Sequence, residues 1–362
     1  MKTGSLHGGN VHAVARESNR RLDRLIDFSA SINPLGPSPS ALQAIRAGLP
    51  QLIHYPDPDC VALRQALADR WRLPPDRFLV GNGSSELIYL LPRALSIRRA
   101  LIVGPTFSEY ERAVVAAGGS ATHIHAKRNE QYRPPLDKVA GAIQQARTKV
   151  DALFLCNPNS PTGLVIQAEE VSRLAKMGAR QGIWVIVDET FIEYCEEATV
   201  LPLIAKLPRL LVLRSMTKFY ALPGLRLGYL AGSSGPLARI RDQQPPWSVN
   251  HLAQAAALAG LKDRLHARKS LAYMERERPR LMRSLEALPG VKVFPSAANF
   301  LLMELSPSWP ATVCAKVLSQ QGLLIRDLSS VPGLNRWTLR VAVKTAGQNR
   351  RLVAALSRLL GR

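Results

Sequence analysis

The chain has 362 residues, 46% of them hydrophobic and 21% charged, a balance that excludes disordered, collagen-like and disulfide-framework classes and leaves two domains or one large α/β body with an appendage. Its 48 Lys and Arg against 27 Asp and Glu give a formal net charge of +21, which invites a nucleic-acid reading. The cations are scattered over nearly every segment and no finger, helix-turn-helix or basic-aromatic run accompanies them, so no nucleic-acid partner is expected; a compositional surface habit is the better fit, and a field attracting small anions is the remaining reading.

Cys60, Cys156, Cys195 and Cys314 lie far apart with no CxxC pair, so free thiols and no metal site are expected. The opening MKTGSLHGGN lacks the apolar core of a signal peptide, and no apolar run approaches the roughly 20 residues of a membrane helix. A cytoplasmic location with no membrane partner is expected.

In chain order, the first 60 residues are turn-rich, with Asn33-Pro34-Leu35-Gly36-Pro37 and Tyr55-Pro56-Asp57-Pro58 around a short helix at 40–48. Helical and short apolar stretches then alternate: helix 61–71, strand 78–80, helix 85–95, strand 100–103, helix 110–117. The rhythm resumes with strand 152–155, helix 168–181, strand 183–187, and strands 210–213 and 227–230. Such alternation predicts βαβ units and a mainly parallel sheet. After Pro245-Pro246 the periodicity predicts a long helix over 249–288, followed by strands at 291–294, 300–304 and 338–343 with helices between and after. The predicted organisation is an N-terminal arm (1–38), a large α/β domain (39–250) and a smaller α+β C-terminal domain (251–362).

Open parallel sheets bind ligands beyond the carboxyl ends of their strands, and three predicted ends carry reactive residues. Gly81-Asn82-Gly83-Ser84-Ser85 opens a helix and offers backbone N–H groups to a phosphate. Asp188-Glu189 closes a buried strand, where a carboxylate needs a cationic partner; the ordinary reading is an N-cap for the next helix or a partner to one of the many arginines. Arg214-Ser215-Met216-Thr217-Lys218 follows another strand, and the Lys lies eight positions before Arg226 in a glycine-containing turn; this suits a nucleophilic amine beside an anion pocket.

Together with Asn157-Pro158-Asn159-Ser160-Pro161-Thr162-Gly163 and Gly224-Leu225-Arg226-Leu227-Gly228, these segments resemble, in order and at family-like spacing, the fold type I pyridoxal-phosphate enzymes of the class I/II aminotransferase superfamily. The resemblance covers nearly the whole chain. It implies pyridoxal 5′-phosphate as cofactor, with Lys218 bound covalently to it and later shuttling protons, and Asp188 paired with the ring nitrogen. It further implies Ser84, Ser85, Ser215 and Arg226 around the cofactor phosphate, Phe107 stacked on the ring, and Tyr55 reaching the cofactor of a second subunit in a homodimer. The chain departs from the family at Ser160, where Asn is usual, which leaves the ring oxygen bonded by Ser160, by Asn157 or more weakly than usual, and at Phe191, where many relatives have Tyr.

Within the superfamily the chain is most similar to the branch of histidinol-phosphate aminotransferases and threonine-phosphate decarboxylases. His7-Gly8-Gly9-Asn10 and Asp27-Phe28-Ser29-Ala30-Ser31-Ile32-Asn33-Pro34-Leu35-Gly36 resemble the opening of the decarboxylases of cobalamin synthesis. The resemblance implies a phosphorylated amino acid as substrate, held by Arg326, Arg340, His7 and Asn33, since separated guanidinium forks suit a carboxylate and a phosphate. It also implies decarboxylation of L-threonine O-3-phosphate, with histidinol-phosphate transamination as the alternative.

Overall fold

The computed structural model describes residues 7–145 and 150–361. Its strands are β1 (Ile26–Asp27), β2 (Phe78–Gly81), β3 (Arg99–Gly104), β4 (Ser120–His125), β5 (Ala152–Cys156), β6 (Trp184–Asp188), β7 (Leu210–Ser215), β8 (Gly228–Ala231), β9 (Lys292–Val293), β10 (Phe300–Glu304), β11 (Leu323–Leu324), β12 (Arg326–Asp327) and β13 (Thr338–Ala342). Among the described residues the large sheet has seven strands in the order β2-β8-β7-β6-β5-β3-β4, and β8 alone runs against its neighbours.

The continuous apolar runs of β5, β6 and β7 follow from burial on both faces. Leu153, Val185 and Val212 enter one core, packed with helices α3 (Val61–Trp71) and α7 (Ala168–Arg180); Phe154, Ile186 and Leu213 enter the other, packed with α4 (Gly83–Ala94) and α5 (Glu109–Ala116). The smaller sheet, β12-β13-β10-β9, is antiparallel and covered by α10 (Arg264–Glu286), α11 (Ala311–Gln320) and α12 (Ala346–Leu360). Ile26 and Phe28 pack into that C-terminal core, and β1 pairs in parallel with β11.

The structure corrects the single helix expected over 249–288. It is two, α9 (His251–Lys262) and α10, because Asp263 leaves the helical region and caps the second through a bond from the His266 N–H. Helices at Val11–Ser18 and Leu136–Gln144 and the strand β4 were not anticipated. β4 lies at the sheet edge and is half-exposed, so its sequence, Ser-Ala-Thr-His-Ile-His, lacks the apolar run that marks its buried neighbours. All four cysteines are buried free thiols, and no described helix is long and apolar enough to cross a membrane.

Arg214, on β7, is buried with its Nε 2.8 Å from Glu189 Oε2, an Nη–H bond to Thr199 Oγ1 of 2.8 Å and its guanidinium 4.9 Å over the Trp71 ring. Glu189 therefore serves the core, as the partner of an arginine, while its neighbour Asp188 faces the cavity described below. Arg214→Met strands a buried carboxylate, and urea unfolding is expected to register a loss of about 3–5 kcal/mol; an unchanged midpoint would discount the ion pair.

Candidate active site

The register of the large sheet assembles the site at one edge. Gly81, Gly228 and Ser215 are consecutive cross-strand partners, and Asp188 pairs with both Cys156 and Leu213. Beyond that edge lies a cavity of about 300 Å³, lined by residues of both sheets, and reached by Ser84, Ser85, Phe107, Ser160, Asp188, Ser215, Lys218, Arg226, Arg326, Arg340 and His7. Strand order in the large sheet brings Ser84, Asp188, Ser215 and Lys218 together, and the small sheet and the described N-terminal residues add Arg326, Arg340 and His7.

One end is a cradle for an anion. Helix α4 starts here with Ser84 and Ser85 in its first turn, so backbone donors and the positive end of the helix dipole point into the cavity. Gly83, at φ +78°, is required: a Cβ there would lie 2.6 Å from Arg226 Nη2. Gly228 is likewise required, since its Cβ would lie 2.6 Å from the Ser84 nitrogen. Small residues therefore let a guanidinium and a helix start close on the same point, and Ser215 Oγ, 2.7 Å from Thr217 Oγ1, stands beside them.

In the centre, Asp188 accepts bonds from Tyr110 Oη at 2.7 Å and from the Thr190 N–H at 2.9 Å. Burial nevertheless pushes its pKa up, against those bonds and Lys218, so a cation brought close would stabilise the charged form. Lys218 hangs from the loop after β7, with Nζ 6.0 Å from the Phe191 ring centroid. Its pKa is pushed down to about 8 by burial and then by Arg340 and Arg226, with Asp188 and Asp27 opposing. The amine is thus a base near neutrality. Phe107 packs edge-on against Tyr110, 5.7 Å between centroids.

The opposite wall comes from the small sheet. Arg326 and Arg340 are cross-strand partners on β12 and β13, and both reach the cavity. Arg340 donates to Ser160 Oγ at 2.9 Å and to the Ser29 carbonyl at 3.0 Å, and its Nε is buried with no hydrogen-bond partner. Burial, then Arg326, pushes its pKa down to about 10. Two guanidinium groups held side by side at a cavity wall constitute a site for an anion.

Three expected site residues stand elsewhere. Asn33 is corrected: its Nδ2 donates to the Phe219 carbonyl and Ser270 Oγ, its Oδ1 accepts from Leu35, and its N–H binds the Lys218 carbonyl. It holds the lysine loop and does not line the cavity. Asn157 is also committed, with its amide clamping both the N–H and the carbonyl of Ile166. Tyr55 does not line its own chain's cavity; it is 79% exposed and stacked on Trp247 at 4.6 Å. Ser160, in turn, is engaged by Arg340.

Sequence reasoning missed Tyr110, Thr190, His123, His125 and the 330–332 loop, all at the cavity. Tyr110 was findable, three positions beyond Phe107 at the start of α5; the histidines, on an unrecognised edge strand, were not.

A family model described as "Aminotransferase class I and II" matches residues 23–356. The chain is 38% identical over 98% of its length to the threonine-phosphate decarboxylase of Salmonella typhimurium, covering 97% of that protein. It is 36% identical to the histidinol-phosphate aminotransferase of Roseiflexus castenholzii, covering 96% of this chain and 92% of that one. The crystal structure of L-threonine-O-3-phosphate decarboxylase from Porphyromonas gingivalis superposes with a TM-score of 0.82 at 28% identity, over 92% of this chain and 99% of the other. The chain belongs to the aminotransferase class I and II family, and its cofactor is pyridoxal 5′-phosphate. The residues fit that group: a cradle that a Cβ at Gly83 or Gly228 would fill suits its phosphate, a buried carboxylate suits its ring nitrogen, and a lysine of lowered pKa suits its aldehyde.

Proposed function

We propose that the protein decarboxylates L-threonine O-3-phosphate to (R)-1-amino-2-propanol O-2-phosphate, a precursor in cobalamin synthesis. The observation that carries this reading is the adjacency of Arg326 and Arg340 on the wall facing Lys218's cavity, which suits a substrate bearing a carboxylate and a phosphate. The 38% identity to a threonine-phosphate decarboxylase supports it.

Pyridoxal phosphate, when bound, supplies an electron sink for the pair left on Cα as carbon dioxide departs. The chain's own residues do the rest. Ser84, Ser85, Ser215 and Arg226 would hold the cofactor phosphate; Asp188, oriented by Tyr110 and the Thr190 N–H, would hold the ring nitrogen, and Phe107 would bound the ring's place in the cavity. Arg340 and Arg326 fix the two anionic ends of the substrate, which sets the Cα bond that breaks, with His7 at the phosphate. Lys218 Nζ delivers the proton that replaces the carboxylate. Exposed Leu52, Ile53, Tyr55 and Trp247 support a homodimer in which Tyr55 meets the second subunit's site.

The second reading is histidinol-phosphate transamination, favoured by the 36% identity to such an enzyme. Holoenzyme given phosphothreonine and no keto acid is expected to release one carbon dioxide per substrate. Glutamate formed from histidinol phosphate and 2-oxoglutarate, with no carbon dioxide from phosphothreonine, would replace the first reading by the second.

A further inference from the structure

Glu109 opens helix α5 as a buried carboxylate beside a cavity built for anions. A negative charge there opposes anion binding unless a cation offsets it. Its two oxygens are engaged: Oε2 accepts from Tyr89 Oη at 2.6 Å, and Oε1 lies 2.7 Å from His7 Nε2, with Arg112 Nη1 more distant at 3.6 Å. His7 precedes two glycines, Gly8 and Gly9, the second at φ +90°, a stretch of backbone with much conformational freedom to lose. A charge-assisted bond from a side chain already fixed by Tyr89 restricts that freedom. The His7 ring also rests on Phe107, 5.3 Å between centroids.

We propose that Glu109, fixed by Tyr89, is a positioning residue that seats His7 against the substrate's phosphate. The proposal rests on the phosphomonoester reading of the cavity given above. Glu109 acts through His7 and touches neither substrate nor cofactor; the effect therefore belongs to binding, and it vanishes when the imidazole is absent.

The test is a double-mutant cycle on the holoenzyme. Glu109→Ala is expected to raise KM for phosphothreonine about 10-fold, the scale of one lost charge-assisted bond, with kcat changing less than about 2-fold. In the His7→Ala background the same substitution is expected to change KM less than about 2-fold. Tyr89→Phe is expected to act in the same direction by about 3-fold, again only when His7 is present, and serves if Glu109→Ala fails to fold. Equal effects in both backgrounds, or an effect confined to kcat, overturn the proposal. If the wild-type enzyme releases no carbon dioxide from phosphothreonine, the decarboxylase reading fails by itself. The cycle is then read from calorimetric binding of inorganic phosphate, where Glu109→Ala weakening that depends on His7 upholds the seat and independence from His7 overturns it.

Discussion

Lys218→Ala is expected to lower turnover on the order of 10⁴-fold, because in the proposed function one side chain supplies both the covalent attachment of the cofactor and the proton returned to Cα. The measurement is carbon dioxide release from phosphothreonine under saturating cofactor. Borohydride reduction of the wild-type protein, followed by peptide mass spectrometry, is expected to mark Lys218; a mark on another lysine would sink the assignment. The pH dependence follows from the amine's environment. Its pKa is held at about 8, below the ordinary lysine value of 10.5, by burial and by Arg340 and Arg226. Protonated amine predominates below that value and neutral amine above it, so the rate at which cofactor-free protein captures pyridoxal phosphate is expected to climb as pH rises, through a midpoint near 8. A midpoint near 10.5 would mean that the buried cationic surroundings do not act on Lys218.

Arg340→Leu carries the second large effect. The side chain is fixed by Ser160 and the Ser29 carbonyl, and its guanidinium lies 5.0 Å over the Phe300 ring, so it meets the substrate already oriented. Losing a desolvated charge pair costs about 2–5 kcal/mol, and KM for phosphothreonine is expected to rise between about 30-fold and about 4,000-fold. Arg340→Lys restores the charge without the planar fork and is expected to recover only part of the loss. Ser160→Ala removes one of the two anchors and is expected to raise KM about 3-fold. An Arg340→Leu enzyme with unaltered KM would remove this residue from substrate recognition and, with it, the argument for a doubly anionic substrate.

The parallel sheet was legible because strands covered on both faces must be continuously apolar, and 152–155, 183–187 and 210–213 are. The reactive residues were legible because they sit where those runs stop: Asp188 after one, Lys218 after another, Ser84 and Ser85 after a third. β4 and the break at Asp263 were less so, since a half-exposed edge strand and a helix cap carry little hydrophobic signal.

Chain order and residue type alone thus determined the class of fold and the position of Asp188 and Lys218 just where buried strands stop, because local patterning records burial and strand ends. Which polar residues face the ligand was decided only by tertiary packing. Asn33 and Asn157 look like ligands in sequence, yet each is spent on backbone groups of another segment. Tyr110, Glu109 and Arg340 acquire their roles from partners 78, 102 and 180 positions away. A hydrogen bond or ion pair acts over a few ångströms of space, and separation along the chain carries no measure of that distance.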